Sequence, residues 1–238
     1  MTLTEAIEAR HSVRKYIHKP LPKEVVETLL AKVEECNRLG RLHIQLVTNE
    51  TKAFTGFFAY GKFSGVENYF VMVGKREDGL DERIGYYGEQ LVLLAQQLGL
   101  NTCWAGLSYR KVSGAYVVGD DEKLTCMIAL GYGETNGVGH KIKTIEQVSR
   151  SSLGIRNPSD DVHDSTPSWF WKGVEAALLA PTAVNQQKFS FEYAGTKDGR
   201  HQVKADKGFS MIGYTQMDLG IAKYHFEVGA GKDNFDWI

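Results

Sequence analysis

The chain is poor in cysteine, in net charge and in long apolar runs, and each shortage removes a class of protein. Its three cysteines, Cys36, Cys103 and Cys126, are odd in number and form no CxxC pair. Neither a disulfide framework nor a structural zinc site is expected, and a reducing, cytoplasmic compartment fits best. Lysine and arginine total 28 against 29 aspartates and glutamates, a net charge of -1. That balance leaves no electrostatic footprint for nucleic acid or anionic lipid, so ligand chemistry has to be local. No apolar stretch approaches the roughly 18 residues of a membrane span, and the opening MTLTEAIEAR lacks the apolar centre of a signal peptide. The seven histidines show no HExxH or other close ligand spacing, which argues against metal catalysis. GYGETNG and VGAGKD carry spaced glycines yet complete neither GxGxxG nor a phosphate loop.

What is present is ample material for a core: 42% apolar and 11% aromatic residues over a length of 238. Thr2 followed by Glu5 predicts a capping box opening a short helix through Arg10, with Leu3, Ala6 and Ile7 inward. KPLPKEVVETLLAKVEECNRLG predicts a second helix, with Pro22 near its first position, Val25, Val26, Leu29, Leu30 and Val33 on one face, and Gly40 as its stop. RLHIQLVTN alternates as a strand does. NYFVMVGK and KLTCMIALGYGE read as buried strands, and DERIGYYGEQLVLLAQQLGL between them as a long helix ended by Gly99. Residues 149–167 are polar, hold Pro158 and Pro167, and read as a linker. Beyond them come a helix, SWFWKGVEAALLA, a hairpin, KFSFEYAGTKDGRHQVKA, turning at Asp198-Gly199 in type I′ form, and a last helix, YTQMDLGIAKYHFEVG.

Two polar stretches stand out. In EARHSVRKY an extended backbone would set Arg10, Ser12 and Arg14 on one face and His11, Val13 and Lys15 on the other. Two guanidiniums and a hydroxyl converging in this way suit a phosphate monoester; a solvated turn after the first helix is the ordinary alternative. In APTAVNQQ, Pro181 stops the preceding helix and leaves Thr182, Asn185 and Gln187 on an irregular segment, which either contributes to a site or simply joins helix to strand.

The second half of the chain echoes the first. Ile-Gly-Tyr recurs at 84–86 and 212–214, each time leading through a helix to a glycine and then a tryptophan. LLAKVEECNRLGRLHIQLVT is answered by ALLAPTAVNQQKFSFEYAG, and RHSVR has a faded partner in RSSLG at 150–154. A duplication is the expected source of this pattern, with chance likeness of short stretches as the alternative. It gives halves at residues 1–148 and 168–238, joined by 149–167 and interlocked as one unit, with a cleft expected where they meet.

RHSVRKY, LVLLAQQLGLNTCWAG, IALGYGE and APTAVNQQ together resemble the FMN-dependent nitroreductase family over nearly the whole chain. The split of these motifs between the halves resembles a subgroup in which both halves are fused. The resemblance implies an α+β fold, a mixed β-sheet flanked by helices in two pseudo-symmetric halves. It implies an FMN-dependent oxidoreductase in which NAD(P)H reduces the flavin and a small-molecule acceptor, a nitroaromatic or quinone, then takes the electrons. Carried onto this sequence, it places Arg10, His11 and Ser12 about the FMN phosphate and Arg14 near the ribityl chain or pyrimidine edge. Lys141 and Lys143 would close over the phosphate. Trp104, Ala105, Gly106 and Leu107 would present backbone N–H groups to the flavin, and Pro181, Thr182, Ala183, Asn185 and Gln187 would contribute from the other half. One FMN per chain is expected, because ECNRLGRL stands where the first half's own APTAVNQQ would lie and RSSLG where a second phosphate comb would lie. A monomer is expected as well, since a pseudo-dimer already holds both halves. The other class left open is a protein that binds, stores or consumes flavin without turnover, to be decided by whether Tyr60, Phe63 or Trp171 roofs the flavin face. No side-chain acid or base is assigned.

Overall fold

Helix α1 (Leu3–Ala9) begins on the capping box: the Glu5 N–H donates to the Thr2 hydroxyl at 3.2 Å and the Thr2 N–H to the Glu5 carboxylate at 2.7 Å. Ala6 and Ile7 are buried, whereas Leu3, expected inward, sits in the first turn and stays exposed. The computed structural model describes residues 1–56, 62–151 and 166–238. After Pro22, α2 (Lys23–Gly40) buries Leu29, Val33 and Cys36, while Leu30, expected on the same face, remains exposed. There follow β1 (Gln45–Val47), β2 (Asn68–Lys75), α3 (Leu80–Gln97), β3 (Asn101–Ala105), β4 (Glu122–Gly131), α4 (Ile145–Val148) and β5 (Ser149–Ser151). The remainder comprises α5 (Ser168–Leu178), β6 (Phe189–Lys197), β7 (Arg200–Lys207), α6 (Thr215–Ala230) and β8 (Phe235–Trp237).

The strands form two sheets where one was expected. The first runs β1-β2-β4-β3 and is antiparallel throughout; the second runs β5-β6-β7-β8 and is mixed, with the β6–β7 hairpin flanked by parallel pairs. Asp198 (φ 51°) and Gly199 (φ 78°) turn the hairpin with the two positive φ angles of a type I′ turn. The start of the expected linker is a strand: β5 pairs with β6 and so adds an edge strand to the second sheet. The rest of that stretch, residues 152–165, with Pro158 and most of RSSLG, lies outside the described residues, as does Tyr60. One hydrophobic cluster draws on both halves, from Ile84 and Leu91 to Phe170 and Phe226. Among the described residues no helix is long and apolar enough to cross a membrane.

Helices α3 and α6 cross at two glycines, and the contact is reciprocal. A Cβ on Gly85 would lie 2.1 Å from the Met217 carbonyl oxygen and 3.0 Å from the Ile221 nitrogen; on Gly220 it would lie 2.0 Å from the Glu82 carbonyl oxygen and 2.9 Å from the Tyr86 nitrogen. Residues 82, 85 and 86 of one helix thus occupy the places of 217, 220 and 221 of the other. Both helices also start after a left-handed residue, Gly79 (φ 76°, ψ 0°) and Tyr214 (φ 61°, ψ 0°). The structural counterpart of Ile84-Gly85-Tyr86 is therefore Leu219-Gly220-Ile221. The similar letters at 212–214 precede the helix and are not its equivalent.

Candidate functional site

Arg10 is the C-cap of α1, and the chain runs on extended, with Ser12 bridging Thr102 of β3 and the Val13 N–H donating to the Thr102 carbonyl at 3.0 Å. Alternation from this point buries Val13 and turns Ser12 and Arg14 to a cavity of about 580 Å³. The end of β3 and the loop after it form a second wall. The loop after α5 and the start of α6 form the opposite one, so both halves enclose the space. Of the residues expected from sequence, Ser12, Arg14, Trp104, Ala105, Gly106, Leu107, Pro181, Thr182 and Ala183 line it. Phe63 lines it too. Trp171 instead packs edge-on against Phe170, ring centroids 5.0 Å apart, away from the cavity lining.

The other expected residues lie apart from this lining. Lys141, Lys143, Asn185 and Gln187 meet one another across the halves. Asn185 Nδ2 and Gln187 Nε2 donate to the Lys141 carbonyl at 2.9 and 2.8 Å, and Lys143 Nζ donates to the Gln187 carbonyl at 2.6 Å. Burial, and then the neighbouring Lys188, lowers the Lys143 pKa. His11 packs against Gly137, where an added Cβ would come within 2.8 Å of its own Cβ. Arg10 is 4% exposed, with its Nε 3.9 Å from Glu89 Oε1 and no hydrogen-bond partner on that nitrogen. Its backbone is already extended (φ -73°, ψ 123°), but its side chain turns to Glu89 and the Leu179 carbonyl and is not part of the cavity lining.

Glu89, Asp218 and Tyr214 were not foreseen. Glu89 is fully buried and accepts from Trp104 Nε1 at 3.0 Å; its other oxygen lies 2.9 Å from His225 Nε2, and His225 Nδ1 lies 3.1 Å from the Ala176 carbonyl. A buried carboxylate thereby orients a tryptophan of the cavity wall. The signal for it was legible, since Glu89 stands three and four places from Val92, Leu93 and Gly85, all buried. Tyr214 lies flat against the loop because position 106 has no side chain: an added Cβ would sit 2.6 Å from the ring. The Asp218 carboxylate accepts from the Ala183 N–H at 3.0 Å and from Gln186 Nε2 at 2.6 Å. Burial pushes its pKa up to about 6 against the pull of those two bonds. Burial also pushes the Cys126 thiol of the cavity wall up to about 12, which makes it inert as a nucleophile.

Fold and cavity together define the class, an α+β oxidoreductase of nitroreductase type. The sequence matches, over residues 2–230, the family described as "Putative TM nitroreductase", and the chain belongs to that family. A nitroreductase structure from Thermotoga maritima MSB8 is 23% identical, with a TM-score of 0.60 over 98% of this chain and 85% of that one. A nitroreductase in complex with FMN from Desulfovibrio desulfuricans is 15% identical, with a TM-score of 0.49 over 62% of this chain and 95% of that one. An NADH dehydrogenase/NAD(P)H nitroreductase structure from Parabacteroides distasonis ATCC 8503 is 20% identical, with a TM-score of 0.48 over 62% and 97%. A comparison with curated proteins gave no match.

Proposed function

We propose that the chain is an FMN-dependent oxidoreductase with one FMN between its halves, NAD(P)H as electron donor and a small aromatic acceptor, such as a nitroaromatic or quinone. The observation that carries this reading is the meeting of two segments remote in sequence, Ser12–Arg14 and Pro181–Ala183, on a single cavity of about 580 Å³, a size suited to a small-molecule site. The residues present fit the cofactor. Trp104, Phe63 and Tyr214 give the cavity three aromatic lining residues, and Gly106 lets the loop backbone come close. The Arg14 carbonyl accepts from the Ser64 N–H at 3.0 Å, while its guanidinium has neither hydrogen bond nor ion pair to a described residue, so its charge is free for an anionic ligand. When bound, FMN supplies the hydride and electron transfer. The protein binds it, orients it and keeps water from its ring.

The reciprocal α3–α6 contact supports a fused pseudo-dimer, and on that reading the cavity would have a counterpart beside Tyr86 and Trp237. Gly79, Glu82 and Tyr86 stand there in the places of Tyr214, Met217 and Ile221, and Trp237 in that of Trp104. Space of about 410 Å³ remains, but its charges are paired. Glu82 accepts from Lys223 at 2.8 Å, Arg83 bonds Glu77 at 2.5 Å, and Glu227 accepts from Tyr86, Trp237 and Lys232. Lys223 occupies the place of Gly88, the position over which Trp104 lies in the first half. Among the described residues lining this space each cation is paired, which supports a single FMN and a monomeric chain. Adding NADH to the FMN-loaded protein without oxygen is expected to bleach the flavin absorbance, and a spectrum that never changes would rule out hydride transfer.

A further inference from the structure

Asp218 takes no part in the proposed electron transfer, yet it is built into the cavity wall. The turn it touches is strained: Val184 (φ 47°, ψ 27°), Asn185 (φ 57°) and Gln187 (φ 45°) are non-glycine residues in the left-handed region. A β-branched residue is the least suited to that conformation, and Val184 is 74% exposed, so burial of its own side chain does not offset the strain. Such backbone persists where its surroundings over-determine it, and it gathers at ligand clamps. Gln187 and Asn185 fix one side through the Lys141 carbonyl. Asp218 fixes the other, one oxygen on the Ala183 N–H and the second on Gln186 Nε2, an amide that also donates to the Gly213 carbonyl at 3.0 Å. The carboxylate is 3% exposed and has no charged partner among the described residues.

We propose that Asp218 is a positioning residue whose carboxylate, bonded at both ends of the turn, holds Ala183–Asn185 in place and so sets the wall that the second half gives to the cavity. The ligand it serves rests on the FMN reading; the contacts do not. Ionised, Asp218 accepts at both oxygens. Protonated, one oxygen carries a hydrogen that faces an N–H donor, and one tie is lost. Around it stand Arg14 and Lys62 across the cavity, Tyr214 at its own helix cap and the Cys126 thiol of β4; the loop 181–187 carries no charge. Burial raises both Tyr214 and Cys126, and Asp218 is the group of this set whose displaced pKa falls between pH 5 and 7. Its ionisation costs stability as pH rises from 3.8 through about 6, a cost that function can retain.

The test follows the Ala183 amide and the Gln186 side-chain amide by NMR without FMN, and FMN binding by fluorescence, in wild type and Asp218→Asn. Both amide signals should titrate with a midpoint near 6 in wild type and stay flat in the variant. FMN should bind wild type about tenfold more weakly at about pH 5 than at about pH 7.5, and the variant weakly at both. Flat wild-type signals, or a variant with wild-type affinity and pH profile, would overturn the proposal. Titrating amides in a protein that takes no FMN would support the role of Asp218 and defeat the flavin reading alone. Gln186→Leu, which keeps the carboxylate and removes one tie, should weaken FMN binding and move the midpoint of the Ala183 amide upward. An unmoved midpoint in that variant would count against the proposal even if Asp218→Asn does not fold.

Discussion

Glu89→Ala is expected to destabilise the fold by about 3 to 5 kcal/mol, the usual loss when one partner of a buried charge pair is removed. The carboxylate is fully buried and answers three groups at once, Arg10, Trp104 Nε1 and His225 Nε2. Without it the Arg10 guanidinium, 4% exposed and already lowered in pKa by desolvation, keeps its charge with no counter-ion. Trp104 Nε1 loses its acceptor and His225 Nε2 its partner at a depth where water does not replace them. Against a typical domain stability of about 5 to 15 kcal/mol, the loss is a large fraction of the total. Urea unfolding of wild type and variant measures it as a shift in midpoint at constant slope. A midpoint that does not move would mean that the cluster is not the electrostatic anchor described.

Gly85→Ala and Gly220→Ala should each cost more than about 3 kcal/mol or prevent folding, and by similar amounts. The obstacle in each case is backbone: a carbonyl oxygen 2.1 Å from the new Cβ at Gly85 and 2.0 Å at Gly220. A flexible side chain could swing away, but a helix carbonyl cannot move without moving its helix. Separating α3 from α6 would also shift Tyr214, Met217 and Asp218 and so open the cavity. The control is Gly139→Ala, where the nearest atom is a His11 ring carbon at 3.8 Å and the change should stay within about 0.5 kcal/mol. Thermal melts of the three variants decide the matter. Equal melting points for wild type and Gly85→Ala would contradict the close helix contact, and a large effect at only one glycine would contradict its reciprocity.

Where a local signal dominates, the sequence was sufficient. The capping box at Thr2 and Glu5, the Asp198-Gly199 turn and the apolar faces of α2 and α3 depend on neighbours within a few residues, and the structure has each of them. Strand β3 has no mark in the sequence, because its short run, Asn-Thr-Cys-Trp-Ala, is buried at polar positions and shows no alternation. At Arg10 the backbone is extended as the period-two reading requires, but its guanidinium is buried beside Glu89, a partner no local pattern reveals. The reciprocal contact of Gly85 and Gly220 was not legible, because it is made by backbone atoms of helices far apart in sequence and the letters around the two glycines differ. Asp218 carried no sequence signal. Its meaning lies in the Ala183 N–H and Gln186 amide, which reach it from another loop.

The central claim is that a single flavin site lies between the two halves and depends on the free cation at its wall. Titration of the FMN-free protein with FMN, followed by flavin fluorescence to saturation, tests it most directly. Binding should saturate at one FMN per chain, and Arg14→Ala should weaken that same event by about ten- to hundredfold. Saturation at two per chain, an Arg14→Ala variant with unchanged affinity, or no binding at all would contradict the account.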